Sequence, residues 1–210
     1  MTSIIDFVLH IDKHLATIIQ NYGNWAYAIL FLIVFAETGL VVTPLLPGDS
    51  LLFAVGALCG RGMLDIYFVI PLLFSAAILG DNVNYFVGRY LGEKVYSGSY
   101  KLIKKDYVVR TQGFYEKHGG KAIIFARFIP IIRTFAPFVA GVGKMNYSKF
   151  LAYSVTGGLF WVISFTVLGY KFGELDVVKH NFTLVVFGII GISLLPAVYQ
   201  VVKMKMGGNK

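Results

Sequence analysis

Apolar stretches alternate with short polar ones along the chain. Five of them, residues 25–60, 66–88, 122–143, 150–170 and 182–202, reach the roughly 20 residues that a helical membrane span needs. Strands of a membrane barrel would alternate polar and apolar positions over about 10 residues. These runs do not alternate, so the pattern predicts an all-α integral membrane protein. Two stretches are broken. Residues 25–60 contain Pro44 and Pro47-Gly48, and residues 122–143 contain Pro130, Pro137 and Gly141. Proline removes a backbone donor and Pro-Gly favours a turn, so each stretch reads as a re-entrant helical hairpin, two half-helices meeting in a break. Open backbone at membrane depth is tolerated where protein shields it or it lines a wet cavity. The unbroken runs 66–88, 150–170 and 182–202 read as transmembrane helices.

Two polar segments complete the pattern. In residues 1–24, Ile4, Ile5, Val8, Leu9, Leu15, Ile18 and Ile19 fall on one helical face, with Asp6, His10, Lys13, His14 and Gln20 largely elsewhere. That is an amphipathic helix lying in the interface, or else a cap packed on the bundle. Residues 89–121 mix Lys101, Lys104, Lys105 and Arg110 with Tyr96, Tyr100, Tyr107 and Tyr115. They read as a second surface helix facing anionic headgroups, with a solvated loop as the alternative.

Composition agrees with the pattern: mean hydropathy is +0.70, with 57% hydrophobic against 14% charged residues, too apolar for an ordinary soluble domain. The net charge of +8 does not point to nucleic acid, because eight bases lie between Arg89 and Lys121 and three more follow Val202. Membrane topology explains that placement. With 89–121 in the cytoplasm and 122–143 re-entrant, Lys144, Lys149 and the C-terminal Lys203, Lys205 and Lys210 also lie inside, as the positive-inside rule favours. Each half of the chain then holds an interfacial helix, a re-entrant hairpin and a transmembrane helix. The second half is inverted relative to the first and is followed by a C-terminal transmembrane helix, an arrangement typical of transporters. No cleavable signal peptide is evident, since the first residues lack a basic region and are interrupted by Asp6, His10 and Asp12. The single cysteine, Cys59, excludes an intramolecular disulfide and a multi-cysteine metal site. His10 and His14, one turn apart, lack a third ligand, so neither a metal nor a cofactor is expected.

Charge inside the broken stretches carries the candidate chemistry. The hairpin 122–143 holds Arg127 and Arg133 and no acid, whereas 25–60 holds Glu37 and Asp49 and no base. An arginine at the bilayer centre costs about 2.5–3.5 kcal/mol on insertion scales, so both need compensation. Hairpin tips entering from opposite faces would meet near the midplane and bring the acids to the arginines. Asp49 also suits the cap of the second half-helix. Asp81 and Tyr85 share a helical face; Asp81 is either a third site carboxylate or an interfacial partner of Arg89, and Thr134 is a further candidate beside Arg133. Gly80, Gly88 and Gly92 suit close helix packing. Phe160-Trp161, Gly157-Gly158, Gly188 and Gly191 suit packing within or between protomers, which leaves room for a homo-oligomer.

The strings FAETGLVVTPLLPGDSLLF, GDNVNYFVGR, FYEKHGGK and ARFIPIIRTFAPFVAGVG resemble the DedA family of bacterial inner-membrane proteins, within the SNARE-associated or VTT-domain superfamily. The resemblance covers nearly the whole chain. It implies two inverted re-entrant loops, kinship with lipid scramblases, functional acids at Glu37 and Asp49 and functional arginines at Arg127 and Arg133. It also implies a role in returning undecaprenyl phosphate across the membrane or in proton-dependent envelope homeostasis. Guanidinium binds phosphate bidentately. The expectation is therefore a flippase or scramblase of a lipid with an anionic phosphate headgroup, in which protons on Glu37 or Asp49 release an arginine for the phosphate. A proton or cation antiporter and a non-transporting structural factor are the alternatives. An intramembrane enzyme is disfavoured because all four histidines lie outside the apolar stretches and no G-x-S-x-G or H-E-x-x-H string occurs.

Overall fold

The computed structural model describes residues 11–39, 48–96, 123, 124, 127 and 130–173, with scattered positions between 175 and 191. Among the described residues the longer elements are helices: α1 (Ile11–Tyr22), α2 (Trp25–Gly39), α3 (Gly48–Gly60), α4 (Ile66–Tyr96), α5 (Pro130–Val142) and α6 (Tyr147–Phe172). Two of them are long and apolar enough to cross a membrane, α4 over Ile66–Gly92 and α6 over its whole length. At 1.5 Å per residue, the 26 residues of α6 reach about 39 Å, more than the roughly 30 Å hydrocarbon core. The apolar helices α2 and α3, of 15 and 13 residues, are shorter than that core. The expected span 66–88 continues in the same helix to Tyr96, into the stretch expected to be a surface segment. Pro44 and Pro47, much of 89–121 and most of 182–202 lie outside the described residues.

The described chain gathers into two compact units. One takes α1, α3 and α6 from Ser164 onward. There α1 packs on α3 and buries Leu15. Almost all of α3 is buried. Its Gly56 lies against the backbone of Thr166, and Gly169 lies against the backbone of Phe53, so α3 and the end of α6 meet main chain to main chain.

The other unit takes α2, α4 from Tyr67, α5 and α6 up to Ile163. Ala26, Leu30, Val34, Glu37 and Thr38 form the buried face of α2, at the i, i+4 spacing of one helical stripe. Gly80 of α4 sits against Thr38 and Gly39. About two and three turns further on, Gly88 and Gly92 sit against Phe138 and Val142 of α5. Tyr85 stacks on Phe150 with ring centroids 4.4 Å apart, and its hydroxyl donates to the Met145 carbonyl at 2.5 Å. Met145 follows a turn in which Lys144 adopts φ 53°, a left-handed residue closing α5 where glycine is usual. Pro137, expected at a break, lies inside α5, which continues to Val142. Its ring holds φ near the helical value, so a turn of helix can follow it. Gly141, also expected at a break, is instead a contact point against Tyr85 and Arg89.

Polarity in this unit runs opposite to that of a water-soluble bundle. On α4, Tyr67, Phe68, Leu79, Val83, Phe86, Val87 and Tyr90 are exposed, whereas Asp81 and Asn84 are buried. On α6, Leu159, Phe160 and Ile163 are exposed and Ser154 is buried. Apolar side chains outside and charge inside are what a hydrocarbon solvent selects.

Candidate functional site

Four charged side chains are buried together in the unit built from α2, α4, α5 and the first part of α6. Glu37 and Asp81 are each 1% exposed, Arg127 3% and Arg133 4%. They form two ion pairs. Arg133, from the first turn of α5, donates through Nη2 to Glu37 Oε1 near the end of α2. Arg127 donates through Nη1 to Asp81 Oδ2 of α4 at 2.6 Å. Removing both charges of a pair from water costs several kcal/mol per ion, which close opposite charge and further hydrogen bonds offset. Those further bonds are present at Asp81: Ser154 Oγ donates to the same Oδ2 at 2.5 Å, and Arg127 Nη1 also reaches the Ser154 carbonyl at 3.3 Å.

Both guanidinium groups lie over the indole of Trp161, which is fully buried. Cζ of Arg133 is 4.6 Å and Cζ of Arg127 5.7 Å from the ring centroid. The negative face of the indole favours cations at that range. Asn84, one turn beyond Asp81, donates Nδ2 to the carbonyl of Thr38 at 3.3 Å and to that of Thr134 at 2.6 Å. Thr38 follows Glu37 in sequence and Thr134 follows Arg133. One amide thus ties the backbone beside the acid to the backbone beside its base.

The sequence-predicted residues are distributed as follows. Glu37, Arg127 and Arg133 come together, and Asp81 joins them as the partner of Arg127. Arg89 is exposed and reaches the Tyr85 hydroxyl at 3.4 Å, so the interfacial pairing of Asp81 with Arg89 is not the one formed. Thr134 is buried at the site through its carbonyl, and Tyr85 is a packing residue beneath it. Asp49 is buried in the other unit, in the first turn of α3, where a negative charge complements the helix N-terminus. Gly48 begins α3 and Pro130 begins α5. Proline suits that first position because its missing N–H would lack an intrahelical acceptor there anyway. Sequence reasoning missed Asn84, Ser154 and Thr38. Their signal was faint: neutral polar residues inside apolar helices, at one-turn spacing from a charge in the case of Asn84. No group of three or more metal-ligating side chains occurs among the described residues.

The model of the VTT domain matches residues 46–171, which include Asp49, Asp81, Arg127 and Arg133. Protein DedA of Escherichia coli (strain K12) is 54% identical over 205 residues, covering 96% of this chain and 94% of that protein. The chain belongs to the DedA family of VTT-domain proteins. Other DedA relatives include an uncharacterized membrane protein of Mycobacterium leprae (strain TN), 41% identical over 83% of this chain and 80% of its own length. Inner membrane protein YqjA of Escherichia coli (strain K12) is 38% identical over 72% of this chain and 69% of its own length. No solved structure matches. DedA membership, relatives named as membrane proteins and two apolar helices of spanning length together make this a helical membrane protein.

Proposed function

We propose that this DedA-family protein is a proton-linked flippase or scramblase for a lipid with a phosphate headgroup, either undecaprenyl phosphate or a phospholipid, in the bacterial inner membrane. The observation that carries this reading is the pair of buried arginines, each held by a carboxylate and lying over one indole. Arginine prefers flat, bidentate oxyanions, and a buried ionisable cluster in a membrane protein marks a transport path by default. In this reading protonation of Glu37 weakens its hold on Arg133, and the freed guanidinium accepts the phosphate. Asp49 is a second proton-binding acid, and half-helices that re-enter from opposite faces give the headgroup its path. The C-terminus is cytoplasmic, and no bond of the lipid is broken.

A purely structural role is the strongest rival, favoured by the Asp81–Ser154–Arg127 bonds and the Asn84 clamp, which would also serve to lock helices. An antiporter of protons against small cations would use the same carboxylates. Native mass spectrometry of the purified protein with undecaprenyl phosphate, across pH, separates these readings. Binding that strengthens as pH falls and is lost in Arg133→Ala supports phosphate-lipid carriage. Equal binding by both proteins overturns it and leaves the arginines as structural pairs. Proton-coupled cation flux without lipid binding identifies the antiporter.

A further inference from the structure

The two arginines are not equivalent. A guanidinium has one edge, formed by Nε and Nη2, whose N–H bonds run parallel and match two oxygens of a phosphate or carboxylate side-on. Arg133 gives the Nη2 of that edge to Glu37. Arg127 meets Asp81 and the Ser154 carbonyl through Nη1 alone. Its Nε and Nη2 are both buried and make no hydrogen bond. Leaving two charged donors dry is expensive, since each buried donor without an acceptor forfeits its hydration.

From this we infer that Arg127 is the oxyanion receptor of the site and binds through its Nε–Nη2 edge while its ion pair with Asp81 stays intact. The inference rests on the phosphate-lipid reading and sharpens it. Competition between carboxylate and headgroup is confined to Arg133, and Asp81 and Ser154 become positioning residues that hold the Arg127 plane. Gly157 and Gly158 of α6 pack beside the guanidinium. A methyl group at Gly158 would stand 3.0 Å from Ile78 Cδ1 and 3.4 Å from both Cζ and Nη2 of Arg127, and one at Gly157 would stand 3.3 Å from Ile124 Cα and 3.6 Å from Arg127 Cδ. Glycine at these two positions keeps α6 from crowding the arginine. The ligand chemistry is a tetrahedral phosphate with at least two oxygens available, whether on a lipid or free.

The test measures binding of two probes, dodecyl phosphate and inorganic phosphate, to the purified full chain in maltoside detergent by titration calorimetry, with thermal unfolding as a check on folding. Wild type is expected to bind dodecyl phosphate. Arg127→Lys keeps the charge and the Asp81 pair but loses the fork, and should weaken binding by about tenfold or more, as expected for a lost charge-assisted bond. Arg133→Lys should weaken it much less. Should Arg127→Lys fail to fold, Gly158→Ala takes its place, since it leaves every charge intact and sets a methyl group against Nη2; a several-fold loss is expected. Undiminished binding by Arg127→Lys, or by Gly158→Ala, overturns the inference while leaving the phosphate-lipid reading in place. A larger loss in Arg133→Lys than in Arg127→Lys does the same. Failure of wild type to bind either probe overturns both. Binding of dodecyl phosphate alone supports the fork as a lipid site, and comparable binding of inorganic phosphate supports it as a site for the anion itself.

Discussion

Asn84 shows how much at the residue scale depends on a single neutral side chain. Its two hydrogen bonds reach carbonyls on α2 and α5, 46 and 50 residues away in sequence. Asn84→Ala leaves both carbonyls buried and loses the link between them, so a loss of about 2–4 kcal/mol is expected from two such groups, read as a lower unfolding midpoint in detergent. Asn84→Asp is the sharper variant, because a carboxylate facing two carbonyl oxygens is repelled unless protonated. Its unfolding midpoint should therefore rise as pH falls, relative to wild type. Legibility at this scale divides by charge. Glu37, Arg127 and Arg133 were readable because hydrocarbon tolerates ionised groups only when they are compensated. The choice of partner was not readable: Asp81 sits four residues before Tyr85 and eight before Arg89 on one helix, and only the packing of α6 against α4 brings Ser154, and with it Arg127, to the carboxylate. Asn84 and Ser154 carry no net charge and so announce nothing in the sequence.

For the elements, glycine placement decides how closely helices approach. A Cβ at Gly141 would collide with the Tyr85 carbonyl oxygen and lie 2.7 Å from the Arg89 nitrogen, both main-chain atoms that cannot move without displacing α4. Gly141→Ala should therefore separate α4 from α5 and cost about 1–3 kcal/mol or more, as overpacked cores do. Gly188→Ala, where nothing lies within 4 Å, should unfold at the same temperature as wild type. The long helices α4 and α6 were legible from apolar run length. The end of α4 was not, because Arg89, Glu93 and Lys94 interrupt the apolar run without stopping the helix, and arginine, glutamate and lysine are good helix formers. Pro137 misled for the complementary reason: proline marks a break only where the chain also turns, and α5 does not turn there.

On the scale of the whole molecule, the class was legible throughout, since mean hydropathy and long apolar runs leave few alternatives to a helical membrane protein. The division into two units was not. Neither unit is continuous in sequence: the chain passes from α1 in one to α2 in the other, back at α3 and across again at α4. Local patterns along the chain do not encode such alternation. It carries a cost for synthesis, because Glu37 and Arg133 lie 96 residues apart. At the roughly 5–20 residues per second of translation, the acid leaves the ribosome some 5–20 s before its base. During that interval Glu37 lacks its Arg133 partner. The first half is therefore expected to be held stably only once the second half arrives. Nascent chains stopped before residue 133 should be cleared quickly by membrane proteases in a pulse-chase experiment. Chains extending beyond Phe172 should persist, and an equal lifetime for both would contradict this order of assembly.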